Sequence, residues 1–182
     1  MKIPANAVKV FQGKIFSVYQ WEQEMFDGST ETFEMLKRPN TIEVIATQGD
    51  KILMSKQSQP NKHGYYSLFG GRAEEGEEPL VTAKRELLEE SGMTSDDWAL
   101  FKVYEPVHKI DWQIYIYIAR NCKKTAEPKL DPGEKIEMIS CTVSEFFKIV
   151  NSDKFWGDSL AIDIARFQND NAKLTDFTKK LF

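Results

Sequence analysis

The chain has little from which to build a soft-metal centre: two cysteines, Cys122 and Cys141, and two histidines, His63 and His108, in 182 residues. A zinc site needs several Cys or His ligands at close spacing, and no CxxC or Cys/His cluster occurs. Both cysteines read as ordinary reduced thiols. No apolar run approaches the ~20 residues that span a bilayer. Residues 1–7 hold one lysine and no apolar core, so they do not read as a signal peptide, and the expected compartment is the cytoplasm. A basic excess is missing too. The net charge of −4 argues against a broad face for nucleic-acid backbone. What is there, 41% hydrophobic and 29% charged residues, fits one soluble globular core without repeats or low-complexity tracts.

The acidic residues are unevenly placed. Seven glutamates lie between Glu74 and Glu90, against Lys84 and Arg85. Clustered carboxylates bind divalent metals, and metals bind phosphates, so a negative net charge leaves phosphate substrates open.

Patterning predicts an α+β fold. Residues 8–38 read as β: Val8–Phe11, Ile15–Trp21 and Thr32–Leu36, with Asp27-Gly28 as a hairpin turn. After Pro39-Asn40, the runs Ile42–Ala46 and Ile52–Lys56 form a second hairpin. Residues 58–64 read as loop, followed by a strand from Tyr65 to Phe69. Residues 79–91 read as a helix with Pro79 in its first turn and Gly92 as its C-terminal cap. Strands are expected at Ala99–Tyr104, Gln113–Ala119 and Lys135–Thr142. Ser144, Asp158 or Ser159, and Thr175 are candidate caps for three C-terminal helices. The organisation expected is an N-terminal β segment (1–40), a core (41–150) and C-terminal helices (151–182) belonging to the same domain.

The chemistry concentrates in residues 71–93, GRAEEGEEPLVTAKRELLEESGM. At 3.6 residues per turn, Glu86, Glu89 and Glu90 fall within about 100° of the helix circumference. Leu80, Ala83, Leu87 and Leu88 take much of the other side, so one face can bury while three carboxylates are presented together. Their mutual repulsion is relieved by divalent cations, which prefer oxygen ligands. Metals at such a site bridge phosphate oxygens and lower the pKa of a bound water, which then attacks phosphorus. A general base must lie within reach.

The same stretch matches the pattern G-x5-E-x7-R-E-U-x-E-E-x-G-U, where U is a bulky aliphatic, through Gly71, Glu77, Arg85, Glu86, Leu87, Glu89, Glu90, Gly92 and Met93. Chance agreement at its seven fixed positions is below roughly one in 10^8 at average residue usage. The sequence here resembles the Nudix hydrolase family. The resemblance implies an α/β/α sandwich with a mixed sheet. It implies that Glu86 and Glu90 ligate Mg2+ (with Mn2+ as the alternative), that Glu89 assists, and that a backbone carbonyl near Gly70-Gly71, placed at Gly71, adds a ligand. It implies that Arg85, held by Glu77, fixes the loop before the helix. A carboxylate outside the box is sought in Leu130–Glu137. Glu134 matches best, as a further metal ligand or as the base, ahead of Asp131 and Glu137.

Beyond the box, the layout resembles the ADP-ribose pyrophosphatase and nucleotide-sugar branch. The N-terminal β segment, the stretch Ile52–Pro60 and Pro106, 13 residues beyond Met93, carry that likeness. The branch implies a nucleoside diphosphate derivative as substrate and a homodimer built through residues 1–40. One departure concerns the phosphate site: Gln59 stands where the branch has an arginine, and arginine is the stronger bidentate phosphate ligand. Arg38, Lys37 and Arg72 are candidate replacements. Trp21, Tyr19, Phe16 and Trp112 are candidates to stack on a base, or else belong to core or dimer interface. Dinucleoside polyphosphates, dinucleotide coenzymes and modified nucleoside triphosphates remain alternative substrates. A non-catalytic nucleotide sensor is the alternative of another class.

Overall fold

A computed structural model describes residues 2–182, so Met1, the first residue of the N-terminal segment, lies outside the described residues. The strands before the first helix are β1 (Val8–Gln12), β2 (Ser17–Glu24), β3 (Thr30–Lys37), β4 (Thr41–Gln48), β5 (Lys51–Gln59), β6 (Lys62–Ser67) and β7 (Phe69–Arg72). The helix α1 (Pro79–Ser91) follows. Then come β8 (Met93–Thr94), β9 (Asp97–Tyr104), β10 (Ile110–Asp111), β11 (Ile114–Arg120), β12 (Lys123–Lys124) and β13 (Lys135–Cys141). The helices α2 (Val143–Val150), α3 (Asp158–Gln168) and α4 (Asn171–Leu181) close the chain.

A mixed seven-stranded sheet runs β13-β5-β4-β11-β9, with β6 paired to β5 and β7 to β4. The central strand β4 is buried on both faces. Ile42, Val44 and Ala46 pack with Ala83 and Leu87 of α1. Ile45 faces the other way, into a cluster with Phe146, Leu160, Ile164 and Phe177 from α2, α3 and α4. Two-sided burial explains why β4 reads as a nearly continuous apolar run. The result is an α/β/α sandwich, α+β in class. Among the described residues no helix is long and apolar enough to cross a membrane.

The N-terminal sheet has the order β1-β2-β3-β10, so two residues from much later in the chain complete it by parallel pairing with β3. Residues 58–64, expected as loop, are instead the tip of the β5–β6 hairpin, where Gln59 pairs with Lys62. The caps also differ from those expected. Thr142, not Ser144, caps α2, in a reciprocal box with Glu145. Gly157 precedes α3, and Asp170 caps α4, leaving Thr175 inside that helix. Each observed cap lies upstream of the expected one.

Candidate active site

Helix α1 is placed by its ends. Pro79 occupies the first turn, where its missing N–H costs nothing. Gly92 ends the helix at φ 68° and donates its N–H to the Leu88 carbonyl. A side chain at Gly92 would run into the Ala126 carbonyl, so the position demands glycine.

The three carboxylates are not presented alike. Glu90 is buried, at 6% exposure, whereas the Glu89 side chain is 44% exposed and that of Glu86 13%. Helical geometry gives the reason. Glu90 lies about 20° around the helix from Ala83 and about 60° from Leu87, and both are fully buried. Leu88, expected on the packed side, is 36% exposed because it lies about 100° beyond Leu87.

The preceding strand touches this face directly. The Gly70 N–H donates to Glu90 Oε2 at 2.8 Å. Gly71 lies against Glu86, and a Cβ there would sit 2.5 Å from its carboxylate oxygen. Arg85 braces the loop between strand and helix. Its Nε and Nη2 donate to the two oxygens of Glu77 at 3.1 and 3.0 Å, and Nη2 also donates to the Arg72 carbonyl at 3.2 Å. Arg85 Nη1 reaches Glu86 at 2.8 Å and Glu89 at 3.0 Å.

The electrostatics divide these acids. The Arg85 hydrogen bonds hold Glu77 down to about 2, and that pairing raises the arginine further. Burial pushes Glu90 well above the ordinary carboxylate range, beyond what the Gly70 N–H offsets, and Glu86, Glu134 and Glu89 add repulsion. Burial likewise raises Glu86, opposed by Arg85, and raises Glu134. Glu134 follows a turn in which its N–H donates to the Asp131 carbonyl at 2.9 Å. Asp131 is exposed, and Glu137 is turned away to Lys56 at 3.2 Å.

This donor set fits a hard divalent cation: buried carboxylates repel one another, and Glu90 has a single neutral N–H donor to offset its charge. Among the described residues no three acidic, imidazole or thiolate groups already converge at ligand geometry. Arg85 occupies the space between Glu86 and Glu89, so a cation there must compete with a guanidinium for two of the carboxylates.

Two arginines meet at the edge of the same strand pair. Thr41 of β4 pairs with Arg72 of β7, and Arg38 Nη2 donates to Thr41 Oγ1 at 3.4 Å. The Arg38 guanidinium stacks 4.4 Å from the Trp112 ring and 5.7 Å from Phe16, and its buried Nε has no hydrogen-bond partner. Burial and then Arg72 lower its pKa, a combination that an anion would reverse. Lys37 is directed instead to Asp111 at 3.9 Å. Gln59 stands at the far end of β5. Trp21 packs on Phe33, and Tyr19 lies near Lys9 on the N-terminal sheet, so of the four aromatic candidates only Trp112 and Phe16 touch a charged group of this site. The sequence pointed to Gly70 only as the neighbour of a ligand carbonyl, not as a donor to Glu90, and it did not single out Tyr65. Gly70 stood beside the motif, whereas only the fold brings Tyr65 near Glu90 and Glu134.

Comparison with known proteins bears on the family and the fold. A family model described as the NUDIX domain matches residues 37–159. An ADP-ribose pyrophosphatase of Bacillus subtilis (strain 168) is 29% identical over 164 residues, spanning 88% of this chain and 89% of that protein. A methanol dehydrogenase activator of Bacillus methanolicus is 28% identical over 165 residues, with the same coverage of 88% and 89%. The crystal structure of an ADP compounds hydrolase shares the fold, with a TM-score of 0.70 at 17% identity over 92% of this chain and 94% of that one.

Proposed function

The chain belongs to the Nudix family and is a Nudix hydrolase resembling ADP-ribose pyrophosphatases, and we propose that it cleaves the diphosphate of ADP-ribose or another nucleotide sugar, giving a nucleoside monophosphate and a sugar phosphate. The observation that carries this reading is the buried carboxylate Glu90 beside Glu86, which receives one backbone N–H while Arg85 pairs with Glu77, Glu86 and Glu89 and not with it. Nudix hydrolases generally use divalent ions, and here Glu86, Glu90 and Glu89 with the Gly71 carbonyl are the groups that would hold Mg2+ or Mn2+, Glu134 being left to act as the base. When bound, the ion neutralises phosphate charge and acidifies a water molecule.

The protein's own groups do the rest. Arg85 and Glu77 hold the loop so that Gly70 and Gly71 stay against the carboxylates. Glu134, raised by burial, accepts the proton of the attacking water as its oxygen bonds to phosphorus and the bridging P–O bond breaks. The departing phosphate carries the electron pair of that bond. Arg38 and Arg72 pair with the diphosphate, which satisfies the orphaned Arg38 Nε. Gln59 contributes at most a neutral hydrogen bond there.

We further propose that residues 1–40 form a dimerisation unit. Val8, Val10, Phe11 and Phe16 lie exposed along this segment, an apolar surface that a second copy would cover. A monomeric mass by light scattering would sink that assignment.

Product analysis tests the reaction. Purified protein with Mg2+ is offered ADP-ribose, GDP-mannose, UDP-glucose, NADH, diadenosine polyphosphates and nucleoside triphosphates. The expected result is AMP plus ribose 5-phosphate from ADP-ribose. Preferential cleavage of a triphosphate or dinucleoside polyphosphate would overturn the substrate assignment and leave the hydrolase in place.

A further inference from the structure

The tip of the β5–β6 hairpin carries a cation, Lys62, held against two aromatic rings. Gln59 and Lys62 are paired in register, so their side chains leave the same face of the hairpin. The Lys62 ammonium sits 3.2 Å from the centroid of the Trp156 ring and 4.9 Å from that of Tyr65. Among the described residues no carboxylate forms an ion pair with it. An ammonium held against aromatic faces, partly stripped of water and lacking an acid, is prepared for an anion.

Its aromatic neighbours are fixed rather than loose. The Trp156 N–H donates to the Tyr66 carbonyl at 2.8 Å, and the Tyr66 N–H donates to the Lys154 carbonyl at 2.8 Å. Residues 154–156 therefore extend the edge of β6 and hold the indole outward, at 57% exposure. Tyr65 packs on Trp156 with ring centroids 5.8 Å apart. Its hydroxyl donates to Gln57 Oε1 at 3.1 Å, and Gln57 Nε2 donates to Ser55 and Ser67 Oγ, both at 2.8 Å. A large indole left half in water on such a support can stack on a planar group once the ammonium leaves its face.

The corner adjoins the reacting groups. Pro60 at the hairpin tip lies against Gly133, next to Glu134, and Ser58 pairs with Lys135. Burial first, then the charges of Glu134 and Glu90, raise the Tyr65 hydroxyl, which places that ring within electrostatic reach of both.

We propose that Lys62 and Trp156 form the specificity-determining corner of the diphosphate site: the lysine binds a substrate phosphate in place of the cation absent at Gln59, and the indole stacks on the base of the nucleoside attached to it. This rests on the diphosphatase reading above. Binding moves the ammonium from the ring to the phosphate and uncovers the indole for the base.

The test combines kinetics with binding of ADP and of ribose 5-phosphate. Lys62→Ala raises KM for ADP-ribose by ~10-fold with kcat within ~3-fold, the signature of uniform binding lost, and Lys62→Arg recovers most of it. Trp156→Ala weakens ADP ~10-fold and leaves ribose 5-phosphate unchanged, as loss of a base stack requires, while Trp156→Phe keeps most of the affinity. Unchanged thermal stability of each variant marks these as site effects. Equal KM and equal ADP affinity in wild type, Lys62→Ala and Trp156→Ala would overturn the proposal, and so would a Trp156→Ala defect confined to ribose 5-phosphate. Should the wild type hydrolyse nothing, the diphosphatase reading falls separately, and ADP affinity still decides whether this corner binds a nucleotide.

Discussion

Glu90 on α1 and Asp163 on α3 are almost equally hidden, at 6% and 4% exposure, yet their surroundings are opposite. Asp163 is compensated on every side. Lys102 forms an ion pair with it, the Tyr104 hydroxyl donates to it at 2.7 Å, and Arg166 lies 3.5 Å away. Burial pushes its carboxyl up, but these bonds and charges outweigh burial and leave it below the usual range. Glu90 receives one backbone N–H and faces three other glutamates. A buried charge that is paired holds a fold together; one left unpaired among like charges destabilises it and persists for what it binds.

The largest effect expected from this contrast is on turnover. Glu90→Gln should lower kcat/KM by at least ~10^2-fold, on the scale of losing one electrostatic element of a site. It should leave Tm equal or higher, because it removes an uncompensated buried charge. Asp163→Asn should do the reverse. It should cost about 1–3 kcal/mol of stability through weakened charged hydrogen bonds, a fall of several degrees in Tm, with kcat/KM within about twofold. A Glu90→Gln protein that melts earlier but turns over normally would break the comparison.

Next comes the brace of the loop. Glu77 is held below its ordinary 4.5, at about 2, by Arg85. Its folded pKa is depressed, so its contribution is complete above 4.5 and is lost as pH falls through about 2. Glu77→Gln should therefore cost ~1 kcal/mol of stability at pH 7 after solvent screening, and lower Tm accordingly. Thermal melts should show the gap to wild type shrinking below pH 4.5. A gap independent of pH would remove Glu77 from the ionic account.

The smallest effect concerns Glu43 on β4, which burial raises from 4.5 to about 7. The native state keeps this proton where the unfolded chain has released it, so stability falls as pH rises from about 4.5 to 7. Glu43→Gln should be the more stable protein above pH 7, by a degree or two, and the two melting curves should converge near pH 4. Identical curves at every pH would show that Glu43 ionises without penalty.

Legibility followed the range of the interactions. Helix α1 was readable because Pro79, Gly92 and the apolar period are local signals, and the motif carried its glutamates at fixed offsets. The burial of Glu90 was not readable. A glutamate looks polar in any pattern, and its environment depends on how closely β7 approaches the helix at Gly70. The hairpin tip at 59–62 was hidden by Pro60-Asn61, which scores as loop although strands flank it on both sides. The contact of Lys62 with Trp156 joins residues 94 positions apart and exists only because residues 154–156 extend β6. Likewise β10 has two residues and no period of its own; its pairing with β3 is purely tertiary.

The most direct test of the central claim is a thermal-shift titration with Mg2+ on wild type, Glu90→Gln and Asp163→Asn, without substrate. Selective binding to the native state raises Tm with metal concentration. The account predicts a saturating rise for wild type and for Asp163→Asn, and a flat response for Glu90→Gln. An equal rise in all three proteins would contradict it, because the unpaired carboxylate of α1 would then not be what holds the ion.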